Sequence, residues 1–147
     1  MRSTYRVLAM LVALGVVLQA AFIAFAWFTV INDVDSGALT FTGEDDQYNA
    51  GHLLHSIGGM LIPALSLALL IVSFFAKIPG GIKWAAIVFG VAVLQFVLGV
   101  TAYELPAVGL LHGMNALALA VVADLAGRRV KSGTSTATAP GRSRTPA

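Results

Sequence analysis

The chain holds three histidines, His52, His55 and His112, and no cysteine. All three lie in or beside long apolar runs. An ionisable residue inside such a run is by default a functional-site hypothesis. Two neutral imidazoles can fill both axial positions of a haem iron when each comes from one of two facing helices. Small residues nearby would let the macrocycle approach the backbone. By helical spacing Gly51, Gly58 and Gly59 lie near the face of His55; Gly109 lies one turn before His112, and Gly113 beside it. The plainer account of these glycines is helix packing, for which Gly109-x-x-x-Gly113 is a common motif. The plainer account of the histidines is hydrogen bonding that holds helices together.

His52 and His55, three residues apart on one helix, can also chelate a divalent metal such as zinc or copper. His112, Glu104 or Asp46 would supply a third ligand. The simpler role for His52 is to face interfacial water. Asn115 stands one turn deeper than His112 and can fix its tautomer, bond a haem propionate, or bond Gln95 or Gln19 across the bundle. Gln19 and Gln95 read as interhelical hydrogen-bonding groups. With no cysteine, disulfides, thiolate metal sites and cysteine nucleophiles are excluded. There is no phosphate-binding glycine loop, no HExxH and no plausible Ser/His/Asp order, so no catalytic residue is assigned and an enzyme is not expected.

The elements that must hold these residues follow from hydropathy. Of 147 residues, 58% are hydrophobic and 11% charged, where a soluble domain carries about a quarter charged. Mean hydropathy is +0.86. The apolar residues form blocks long enough to span a bilayer, at about residues 7–31, 48–76, 84–103 and 107–127. The first resembles a signal peptide in its Arg2/Arg6 flank and its Ala24-Phe25-Ala26 site, but at about 25 residues it exceeds a signal core and reads as a retained helix. Pro63, after Gly58-Gly59, cannot bond to the Gly59 carbonyl and should kink the second span. Residues 1–127 thus predict an all-α, up-down four-helix membrane domain, and 128–147, rich in Ser, Thr, Pro and Gly, a disordered tail. No strong internal repeat stands out.

Arg2, Arg6, Lys77, Lys83, Arg128, Arg129 and Lys131 fall on one side of this arrangement; Asp33, Asp35, Glu44, Asp45, Asp46 and Glu104 fall on the other. Basic loops stay inside, so both termini are expected in the cytoplasm, with the chain in the cell membrane. Tyr5 and Trp84 would mark the inner interface, and Trp27, Tyr48 and Tyr103 the outer one. The pI of 9.3 does not imply nucleic acid, because the basic residues sit at helix ends where anionic lipid meets them. Spans two and four run parallel, so His55 and His112 share one leaflet, about 6–10 Å below the outer surface.

Leu54-His55-Ser56-Ile57-Gly58 with Leu61-Ile62-Pro63, Leu94-Gln95, and Leu111-His112-Gly113-Met114-Asn115-Ala116-Leu117 together resemble the bacterial family of small membrane proteins catalogued as domain of unknown function 6220. The resemblance covers roughly residues 5–127. It implies four spans and singles out His55, His112 and Asn115; it brings no activity with it. The topology is also similar to half of a haem A synthase. The Glu-x-x-x-His motif of that enzyme is missing here, since Gly51 stands four residues before His55.

Three functions are therefore open. In the first, the protein binds b-type haem between spans two and four, through His55 and His112 with Asn115 beside them, for electron transfer or haem handling with a redox partner. In the second, it is an accessory subunit of a membrane complex. The third is a divalent-metal site on His52 and His55.

Overall fold

The computed structural model describes residues 1–39 and 48–132, the last two by backbone alone. Among these residues are four helices: α1 (Arg2–Asp35), α2 (Ala50–Ala76), α3 (Gly81–Glu104) and α4 (Val108–Ser132). Each is long and apolar enough to cross a membrane, as hydropathy predicts. Glu44, Asp45 and Asp46 of the acidic loop, and residues 133–147 of the expected tail, lie outside the described residues. Every helix packs on its neighbours in chain order and α1 closes the ring on α4, which leaves α1/α3 and α2/α4 as the diagonals.

α1, α3 and α4 run past the apolar blocks that define their spans, whereas α2 lies within its block. α1 has 34 residues, about 51 Å at 1.5 Å per residue, against a hydrocarbon core of about 30 Å. Backbone hydrogen bonding propagates into polar flanks, so helix length and span length differ. α2 stays helical through Pro63. α4 continues through Arg128 to Ser132, which corrects the expectation of disorder from residue 128. Two contacts hold that extra turn: Arg128 Nε pairs with Asp124 Oδ2 at 2.6 Å, and the Arg129 guanidinium lies 4.9 Å from the centre of the Trp84 ring.

Most of the core is small side chains, with Tyr5, Ile62, Leu69 and Leu119 as its large members. Ala9, Val12, Ala85, Val88, Ala92, Ala123 and Ala126 are buried, while Phe28, Phe74, Phe75, Leu110 and Leu117 point outward. Hydrocarbon solvates large apolar groups as well as a core does, so close backbone approach becomes the main source of helix association. The tightest approach of one backbone to another at a glycine is at Gly51, where an added Cβ would stand 2.7 Å from the Ala26 nitrogen and the Phe22 oxygen. Buried Ser66 and Ser73 satisfy their hydroxyls on the carbonyls of Pro63 and Leu70 within α2.

At the end that carries the start of α1, the α2–α3 turn is clamped. Gly80 takes a left-handed φ of 70°, which glycine adopts without strain. Arg2 donates to the Lys77 carbonyl at 3.0 Å, and the Tyr5 hydroxyl donates to the Gly81 carbonyl at 3.0 Å. Tyr5 is 0% exposed. It plugs the bundle and does not belong to an interfacial belt as expected, because the turn offers its hydroxyl a partner inside. Trp27, Tyr48 and Tyr103, at the other end, do face outward.

Gly51→Val should lower the unfolding free energy by about 1–3 kcal/mol through overpacking against α1, measured by denaturing-detergent titration in mixed micelles. Wild-type stability in this variant would mean that the α1–α2 contact is loose.

Candidate functional site

α2 and α4 begin at the same end of the bundle, with His55 five residues into α2 and His112 four into α4. The two helices are diagonal, not adjacent. Their histidine rings nevertheless meet across the centre, with centroids 6.2 Å apart and planes inclined at 65°.

Each ring is fixed by the helix beside it. His55 Nδ1 lies 3.1 Å from the backbone oxygen of Gln19 on α1, and His112 Nδ1 lies 3.1 Å from the backbone oxygen of Gln95 on α3. A carbonyl only accepts, so both imidazoles donate from Nδ1; in the neutral ring this tautomer leaves the lone pair on Nε2. Metal-ligating histidines are commonly oriented in this way, by an N–H bond to a carbonyl behind the ring. The Gln95 side-chain nitrogen lies 3.2 Å from Nδ1 and 3.1 Å from Nε2 of His112. A nitrogen at nearly equal distance from both ring nitrogens lies over the imidazole and not in line with either lone pair, so the amide packs on the ring. Asn115 Nδ2 in turn donates to Gln95 Oε1 at 2.8 Å and to the Val91 carbonyl at 3.1 Å. Of the protein side chains the sequence allows as partners for Asn115, Gln95 is the one it bonds.

The glycines divide into two groups. A Cβ at Gly58 would run into the Gln19 amide, and one at Gly99 would stand 3.0 Å from His112 Cε1. Gly99 has no distinguishing mark in the sequence. At Gly59, Gly109 and Gly113 an added Cβ would meet nothing within 4 Å, so the Gly109-x-x-x-Gly113 motif does not pack within the bundle.

His52 does other work. Asn49 Oδ1 accepts from the backbone nitrogens of Gly51 and His52, and His52 Nδ1 accepts from the Asn49 nitrogen. This is a capping box with histidine in the place of the usual Glu. The ring stacks on Tyr48 at 5.7 Å and meets the edge of Trp27 at 5.6 Å. The capping bond occupies the Nδ1 lone pair and leaves the proton on Nε2. No group of three or more His, Asp or Glu residues that could hold a metal ion occurs among the described residues. Asp46, one of the expected third ligands, lies outside them.

The repeated bond reveals a repeat in the chain. Val17-Leu18-Gln19 and Leu53-Leu54-His55 in the first hairpin correspond to Val93-Leu94-Gln95 and Leu110-Leu111-His112 in the second. Burial follows the same register: Ala9 with Ala85, Val12 with Val88, Val16 with Ala92, then Ile62 with Leu119, Ser66 with Ala123 and Leu69 with Ala126. The bundle is two like hairpins around one axis, and the histidines meet on that axis. Two matched tripeptides in apolar sequence are too little to expose this without the contacts.

His112→Leu removes the N–H that the Gln95 carbonyl accepts and the ring on which the Gln95 amide rests, and should cost about 1–3 kcal/mol, and adding Gln95→Leu should restore much of it. Unfolding titrations of the two single variants and the double variant check this; strictly additive losses would mean that the polar residues act independently. No protein-family model matches the chain, and no curated protein and no solved structure matches it either.

Proposed function

We propose that this is a small membrane protein that holds b-type haem between His55 and His112 and serves electron transfer or haem handling. One observation carries the reading: two imidazoles, each with Nδ1 bonded to a helix carbonyl, come together at the centre of the bundle with ring centres 6.2 Å apart. The donor set fits a bis-histidine iron. The close approach at Gly99 gives His112 a flat backbone surface behind its ring. The haem would supply the redox change, and the residues around it would set ring orientation and exclude water. Asn115 would act through Gln95.

A second reading, an accessory bundle without a cofactor, has its own support: Gln95 and Asn115 close the polar layer on itself around His112. Absorbance separates the two. Protein purified in mild detergent from haem-replete cells should show a Soret band and, when reduced, the sharp α band of a haem with two imidazole ligands. That α band should vanish in both His55→Ala and His112→Ala. A featureless spectrum that persists after haemin is added would leave the accessory bundle as the better reading.

The charge split supports a cell-membrane location with both termini in the cytoplasm. The chain has no cysteine, so one introduced cysteine is unique. Ser36→Cys should react with a membrane-impermeant maleimide added to intact cells, and Ser3→Cys only after lysis. The opposite pattern would invert the orientation.

A further inference from the structure

The arginines at the end where α1 starts and α4 finishes fall into two pairs. Arg2 donates to the Lys77 carbonyl and Arg129 lies over Trp84, so both serve the α2–α3 side of the bundle. Arg6 and Arg128 are left to the seam between α1 and α4, and both are exposed. The Arg6 side chain makes no hydrogen bond or ion pair with the described residues. Arg128 commits its Nε to Asp124 at 2.6 Å. A guanidinium has further N–H donors in a flat fork, so Arg128 keeps most of its bonding capacity.

The two helices come close beside these arginines. A Cβ at Gly127 would stand 3.5 Å from the Ala9 Cβ and 3.9 Å from the Arg6 carbonyl oxygen, which sets the Arg6 backbone against α4. Helical spacing puts Arg6 on the stripe of Met10, Ala13 and Val17, and Arg128 on the stripe of Val121 and Asp124. Between these stripes runs an apolar groove of about 390 Å³. Ala13 and Ala120 are half-buried at its floor, and Leu14, Val17, Val121 and Leu125 stand exposed along it. The groove leads away from the histidine layer and ends under two guanidiniums and one carboxylate, with one positive charge in excess.

We propose that this seam binds one anionic glycerophospholipid from the leaflet at that end, with an acyl chain along the Ala13/Ala120 floor and the phosphodiester between Arg6 and Arg128. A guanidinium fork matches phosphate oxygens, and basic pockets between membrane helices take anionic headgroups. One unpaired positive charge matches a phosphodiester whose headgroup carries no amine. A second copy of the chain is the wrong occupant. Inserted in the same orientation, it would bring Arg2, Arg6, Lys83, Arg128 and Arg129 to the same level, where Asp124 is the one acid among the described residues. Like charges would then face one another across the contact.

Native mass spectrometry of the full chain, delipidated in mild detergent and mixed with phosphatidylglycerol or phosphatidylcholine, tests the site. One phosphatidylglycerol should bind per chain, about fivefold more tightly than phosphatidylcholine. Arg6→Gln and Arg128→Gln should each weaken it about tenfold. Lys83→Gln removes an exposed cation at the same end but on α3, and should leave binding unchanged. Ala120→Phe fills the floor and should weaken binding with both arginines in place. The acyl contribution is also read without a variant: glycerophosphoglycerol, the same headgroup without acyl chains, should fail to displace the lipid. Equal losses in Lys83→Gln and the arginine variants would mean diffuse attraction to the basic end and would overturn the site. So would equal retention of phosphatidylcholine, displacement by the free headgroup, or a dimer of the chain in place of a lipid adduct. The result is independent of whether His55 and His112 hold iron.

Discussion

A carbonyl that has already accepted its helical hydrogen bond can accept a second, and in hydrocarbon, where no water competes, that spare capacity is a strong anchor. The carbonyls of Gln19 and Gln95 serve as such anchors for the two imidazole N–H groups. Each bond joins the two helices of one hairpin, sets a tautomer and aims the opposite face of the ring inward. The central layer depends on this pair. The small core residues let the helices come close enough for the bonds to form, and the clamp at Tyr5 and Arg2 fixes the far end of the same helices.

The diagonal arrangement explains how His55 and His112 meet although the backbones of α2 and α4 stay apart. In a four-membered ring of helices, the centre is the place that residues from opposite corners can share. Side chains as long as histidine bridge it, whereas the alanines and valines lower in the bundle leave the helices to close on one another. The polar layer and the tightly packed apolar layers thus divide the bundle along its axis.

The spans were legible because apolar blocks of this length have few alternatives to a membrane helix. The matched depth of His55 and His112 was also legible, since it follows from connection lengths and the rise of a helix. Their meeting was not, because winding order does not appear in hydropathy. Gln19 and Gln95 read as generic interhelical amides; that their backbone oxygens would matter more for the histidines than their side chains has no signature in residue type. Tyr5 looked interfacial because an aromatic near a helix end usually is, and only the turn folded over it gives its hydroxyl an inside partner. The role of His52 was hidden for a like reason: a histidine is rarely the third residue of a capping box.

The short turn from Lys77 to Gly80 has a consequence beyond joining two helices. Two identical hairpins associating as separate molecules would have to carry the same residue three positions after each histidine. Both glutamine amides would then be held by an asparagine, or neither. Covalent linkage removes that constraint, so one half can keep Gly58 while the other has Asn115. The turn is what permits a near-symmetric shell to enclose an unsymmetric centre, and so gives the bundle a polarity across its axis that a dimer of equals would lack.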